Sequence, residues 1–136
     1  MAQNELKPLL KSTTLSSGAN NGDKQQNRDG RGVLLEVDIT AATGTSPTLT
    51  VKLQEFFPSA NAGAGRWVDI TGATTTALAA DGGGAGATKL IVYPGVTVSA
   101  NAAVSRPLSE YWRYVATVGG SNTPTVTCSI SAATLV

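Results

Sequence analysis

Histidine is absent from this chain of 136 residues, and cysteine occurs once, at Cys128. Without an imidazole there is no His-based dyad or triad, and one thiol cannot close an intrachain disulfide or build a zinc cluster. Aromatic residues make up 5% of the chain and charged residues 14%, with ten basic side chains scattered among nine acidic ones for a net charge of +1. Nucleic-acid binding calls for a clustered basic stripe, so that partner is not expected. No apolar run approaches the roughly twenty residues that span a bilayer, which argues against a membrane partner. The first residues, MAQNELKPLLKSTTLSS, lack the long apolar core of a signal peptide, so a soluble product of the cytoplasm, used without cleavage, is expected.

What the chain does have is small and β-forming: Ala, Gly, Thr, Ser and Val set the composition, which favours closely stacked, pleated backbone. Two stretches share one pattern. Ile39–Leu53 (ITAATGTSPTLTVKL) and Tyr114–Ile130 (YVATVGGSNTPTVTCSI) each read as an alternating strand, a Gly/Ser/Pro turn and a second alternating strand. Val33, Leu35, Val37 and Ile39 share one phase, as do Leu49, Val51 and Leu53. Trp112, Tyr114, Ala116 and Val118 form a third apolar set, and Val126, Cys128 and Ile130 a fourth. The pattern predicts two β-hairpins, each with one apolar face and one Thr-rich or charged face.

Residues 1–31 differ from the rest. Leu6, Leu9, Leu10 and Leu15 are expected to dock as an extended arm or a first strand, and Ser16–Gly32 reads as a polar connector without periodicity. From residue 32 to 136 a single β domain is expected, long enough to bury about two-thirds of its unfolded surface. Strands are predicted over 32–40, 48–57, 66–71, 74–79, 88–93, 96–100, 110–118 and 124–131, separated by the irregular stretches Pro58–Gly65 and Asp81–Ala87. Short strands at such intervals predict an all-β, antiparallel β-sandwich or jelly-roll-like domain with an N-terminal arm.

Several constellations reduce to ordinary structure. Gly82, Gly83, Gly84 and Gly86 lack the following Gly-Lys-Ser/Thr and helix of a phosphate loop, and read as a hairpin tip. Asn20, Asn21, Asp23, Asn27 and Asp29 lack the alternate spacing and closing Glu of a calcium loop, and read as solvated connector. Glu36 and Asp38 share an outward face at i, i+2, which is not two carboxyls opposed across a cleft. No enzyme, metal or cofactor is therefore expected. Trp112 shares the phase of the core and is expected to be buried, whereas Trp67 stands opposite in phase to Val68 and Ile70, the better candidate for an exposed contact. Only Trp67, Tyr93 and Tyr111 qualify as stacking groups of a carbohydrate-binding or adhesin module.

The phrases RGVLLEVDIT, GTSPTLTVKLQ, RWVDITGA, LIVYPGVT and RPLSEYWRYVATVGGSNTPTVTCSIS, spanning about Arg31 to Ile130, resemble a type of small virion protein of tailed bacteriophages. The resemblance is to capsid decoration (cement) proteins, whose sandwich or jelly-roll domain docks on the outer shell, often as trimers at local symmetry axes. It implies a major capsid protein as partner, a homo-oligomer with a trimer favoured, and a place on the outer capsid surface. It supplies no catalytic motif. A tail, neck or baseplate component with the same sandwich is the alternative. Leu6, Leu9, Leu10, Arg28, Arg31 and Trp67 are the candidate partner contacts, together with the two irregular loops.

Overall fold

The computed structural model describes residues 5–79 and 86–136. Among these the chain is all-β, with no α-helix and a single 3-10 turn at Asn61–Gly63. Nine strands form one sheet: β1 (Lys7–Ser16), β2 (Gly18–Asn21), β3 (Gln25–Gln26), β4 (Gly32–Phe57), β5 (Arg66–Thr74), β6 (Leu78–Ala79), β7 (Gly86–Val92), β8 (Ala103–Val104) and β9 (Tyr111–Leu135). The pairings are antiparallel except that of β7 with β8, which is parallel.

The two hairpins expected from the sequence do not form. Each stretch lies within one long strand, and β4 and β9 pair with each other from Gly32↔Leu135 to Glu55↔Trp112. Ile39 therefore faces Cys128, and Leu53 faces Tyr114, in place of partners across a local turn. The Gly/Ser/Pro residues make a bend in this ribbon. Register shifts between Ile39 and Thr48 coincide with positive φ at Gly44 and Ser46 in β4 and at Gly120, Asn122 and Thr123 in β9. A β-carbon on Gly120 (φ 122°) would lie 2.9 Å from the Thr45 carbonyl oxygen and 3.0 Å from that of Ser46, so the two backbones approach as closely as glycine allows.

The shifts cancel. Ile39↔Cys128 and Thr48↔Gly119 stand the same number of residues apart on both strands, so the inward phase survives the bend. Val33, Leu35, Val37 and Ile39 before it, and Leu49, Val51 and Leu53 after it, are all buried in a single hydrophobic cluster. The sets in β9 join them as the alternation predicts, with Trp112, Tyr114, Ala116 and Val118 on one side of the bend and Val126, Cys128 and Ile130 on the other. For both halves of a bent ribbon to share one core, the sheet must curl, and β5 accordingly lies against β7 and β8.

Along the outer side of β9 run the first three strands. β1 pairs from Lys7↔Ala132 to Ser16↔Thr125, β2 from Gly18↔Val118 to Asn21↔Val115, and β3 through Gln25↔Trp112 and Gln26↔Tyr111. Asparagine amides hold the polar stretch in place. Asn20 Nδ2 donates to the carbonyls of Ser16, Gly18 and Ala116, and buried Asn27 donates to those of Gly30 and Leu108 while accepting from the Gly30 amide. The stretch read as aperiodic connector thus includes two short strands, because backbone pairing needs no apolar side chains when an amide can substitute for a missing ladder bond.

On the other side, β7 pairs with the first half of β4, and β5 and β6 pair with the second. No strand covers 96–100, where the chain turns at Tyr93–Val96 and makes one isolated bridge between Ser99 and Ala103. Gly82, Gly83 and Gly84 lie outside the described residues, and Gly86 opens strand β7.

Candidate interaction face

The second half of the ribbon has two unlike faces. Leu53 and Glu55 of β4 turn into the molecule, while Gln54 and Phe56 turn outward beside Trp67 and Asp69 of β5 and Tyr111 and Arg113 of β9. Phe56 is in register with Trp67, and Gln54 with both Asp69 and Arg113. Tyr111 stands beside Phe56, one residue beyond the registered pair Glu55↔Trp112. The outcome is two adjacent rows across three strands, one aromatic (Tyr111, Phe56, Trp67) and one polar (Arg113, Gln54, Asp69).

The rings are packed with cations. Phe56 and Trp67 have centroids 5.1 Å apart with planes inclined at 53°. Lys24 Nζ lies 4.4 Å from the Phe56 centroid and 4.1 Å from that of Tyr111, and the Arg113 guanidinium lies 4.4 Å from the Trp67 ring. Both are cation–π geometries. Gly65 (φ 84°) makes room for the row, since a β-carbon there would sit 2.1 Å from Phe56 Cζ.

In the polar row, Arg113 Nε donates to Gln54 Oε1 at 2.9 Å, Gln54 Nε2 donates to Asp69 Oδ1 at 2.8 Å, and Lys52 Nζ donates to Asp69 Oδ2 at 3.0 Å. The hydrogen bond from Gln54, with that from Lys52 next, holds the Asp69 carboxyl below its usual range. Partial burial lowers the Arg113 guanidinium from its ordinary value, and arginine remains charged at any physiological pH.

Behind this face, on the core side of the same strand, Glu55 is buried and receives Arg106 Nη2 at 2.7 Å and the Ser109 hydroxyl. The pair ties the segment before β9 to β4. It is a satisfied structural ion pair, with the carboxylate engaged on both counts.

The six candidate contacts do not converge. Leu9 and Leu10 are partly buried against the core, and Leu6 is exposed beyond the start of β1. Arg28 and Arg31 are exposed on the loop after β3, where the Arg31 amide donates to the Leu135 carbonyl and its carbonyl accepts from the Leu108 amide. Trp67 alone belongs to the aromatic row. Tyr111 joins it, whereas Tyr93 sends its hydroxyl to the Val136 carbonyl at 2.7 Å. Sequence reading missed Phe56, Lys24 and Arg113. The signal for Phe56 was its place in the outward phase of Thr50, Lys52 and Gln54, and Arg113 likewise alternates with buried Trp112; Lys24 reaches the rings only through the pairing of β3 with β9. Glu36, one of the two outward carboxylates, pairs with Lys89 at 3.3 Å. Among the described residues no group of three or more acidic, His or Cys side chains is arranged to hold a metal ion, and no helix is long and apolar enough to cross a membrane. No protein-family model matches this chain, and comparison with curated proteins and with solved structures likewise finds no match.

Proposed function

We propose that this chain is a non-enzymatic structural protein of a tailed-phage particle, a capsid decoration protein whose partner is the major capsid protein. The observation that carries an assembly role is the outward row of Tyr111, Phe56 and Trp67 with Lys24 and Arg113 against it. Aromatic and arginine side chains are the residue types that dominate protein–protein hot spots, and here they sit on a rigid three-stranded frame. The resemblance of residues 31–130 to decoration proteins supplies the particle and the shell. In this reading the curled sheet is the two-layered body of a β-sandwich, an arrangement favoured by the single core shared by both halves of the β4–β9 ribbon.

The mechanism is linkage. A protein that binds the assembled lattice and not its free subunits stabilises the lattice by mass action, and a trimer that engages several subunits at once gains avidity without new contacts. Its place is the outer capsid surface. Counting copies of the chain in purified particles of the phage that encodes it tests this directly. Hundreds per particle are expected; six, twelve or a few dozen would assign it to a tail, neck or baseplate position instead. The carbohydrate-binding alternative is disfavoured by the 53° tilt between Phe56 and Trp67 and by the Lys24 ammonium over Phe56 and Tyr111, which leave no flat platform for a sugar ring.

A further inference from the structure

The aromatic face carries two cations with no ion-pair partner among the described residues. Among the described residues the ion pairs are Lys52–Asp69, Lys89–Glu36 and Arg106–Glu55, so neither Lys24 nor Arg113 has a carboxylate partner. Asp69 is already engaged by Lys52 and Gln54. Glu110, at the edge of the face, accepts from the Gln26 amide at 3.4 Å. Arg113 uses Nε on Gln54 and its planar surface on Trp67, which leaves its terminal amino groups without a described partner. Lys24 belongs to the stretch between β2 and β3, and the register of β3 with β9 brings that stretch alongside Arg113.

We propose that this face docks an extended acidic segment of a partner protein, a carboxylate being received between Lys24 and Arg113 while a neighbouring apolar side chain packs beside the aromatic row. The proposal rests on the assembly role argued above and names the chemistry of the partner's contact. A cation held over aromatic rings is partly desolvated and fixed in place, so a carboxylate that meets it gains a charge-assisted hydrogen bond with little further ordering. A phosphate polymer fits less well: the rings are inclined and capped, so bases cannot stack on them in series.

The test uses the purified full chain and three labelled probes at low salt: a short peptide alternating Glu and Leu, its Gln–Leu counterpart, and single-stranded oligothymidylate. Fluorescence anisotropy is expected to show binding of the Glu–Leu peptide, with affinity at least about tenfold weaker for the Gln–Leu peptide and for the Lys24→Gln/Arg113→Gln variant, the loss of two charge-assisted contacts. Circular dichroism verifies that the variant is folded; Lys24→Gln alone, at an exposed residue, serves if the double variant is not, and is expected to weaken the same peptide. Equal binding of both peptides, unchanged binding by the variants, no binding of the Glu–Leu peptide, or tighter binding of oligothymidylate would each overturn the proposal. Occupancy on particles lacking the native protein separates it from the decoration role: wild-type and Lys24→Gln protein bound equally would leave decoration standing and remove this face from it, whereas peptide binding without particle binding would do the reverse.

Discussion

The carboxylate of Glu55 and the guanidinium of Arg106, 51 residues apart in sequence, meet at 2.7 Å on the buried side of β4. The two ends of this pair are unlike, since the Glu55 side chain is 6% exposed and that of Arg106 35%. Removing the arginine strands a buried carboxylate; removing the carboxylate leaves a guanidinium that water can reach.

Arg106→Ala is accordingly expected to cost more stability than Glu55→Gln. Breaking a fully buried pair costs about 3–5 kcal/mol, and the partial exposure of Arg106 reduces this to about 2–3 kcal/mol. Urea denaturation of the two variants measures the difference. Equal losses, or a loss under about 0.5 kcal/mol for Arg106→Ala, would show that the pair contributes little.

The two tryptophans should behave oppositely. Trp112 is 4% exposed inside the core cluster, and truncation to Ala is expected to cost about 3–5 kcal/mol and to give aggregating protein. Trp67 is only partly buried, on the outer face, so Trp67→Ala should cost about 1–2 kcal/mol, remain soluble and lose partner binding. A soluble, fully folded Trp112→Ala that fails to bind would reverse the assignment of the two faces.

At the bend of the ribbon, Gly120→Ala must accept both a positive φ and a β-carbon 2.9 Å from the Thr45 carbonyl oxygen. The expected cost is about 2–3 kcal/mol. Gly18 also has positive φ (97°) but nothing within 4 Å of its would-be β-carbon, so Gly18→Ala should cost only about 1 kcal/mol. Thermal melts of the pair compare crowding with torsion alone, and a Gly120→Ala melt no lower than that of Gly18→Ala would mean the two backbones are free to separate there.

Burial pushes the Cys128 thiol up to about 11 from its ordinary 9.0. Its folded pKa lies above the unfolded one, so the unfolded chain sheds its proton first. The stabilisation is complete below about pH 9 and is lost as pH rises through 11, on the order of 2–3 kcal/mol in all. Tyr114, raised by burial first and then by Cys128 and Asp23, acts in the same direction at the alkaline end. Urea midpoints from pH 8 to 11 should fall more steeply for the wild type than for Cys128→Ala. Matching slopes would remove the thiol from the account, as would rapid labelling of Cys128 by a thiol reagent in native protein.

Which residues face inward was legible in the linear order, because the side-chain period of a strand is two whatever the strand pairs with. Val33 to Ile39, Leu49 to Leu53, Trp112 to Val118 and Val126 to Ile130 are buried in the phases their alternation predicts, and Val115 of the opposite phase is buried as well. Trp112 and Cys128 in the core and Trp67 on the outer face follow from the same rule.

Pairing was not legible. Gly44–Pro47 and Gly119–Ser121 have the composition of hairpin turns, and the same positive-φ residues serve equally well to bend a continuous ribbon. Only the tertiary structure chose between them, because a strand's partner is set by which distant segment completes its ladder and shares its buried face. The interaction face depends on that choice. Tyr111, Phe56 and Trp67 come from β9, β4 and β5, and Lys24 arrives beside them through β3. Local alternation determined that each of the three rings points outward; the long-range pairing of β4 with β9 brought them side by side, since only hydrogen-bonded neighbouring strands hold side chains of distant sequence about 5 Å apart.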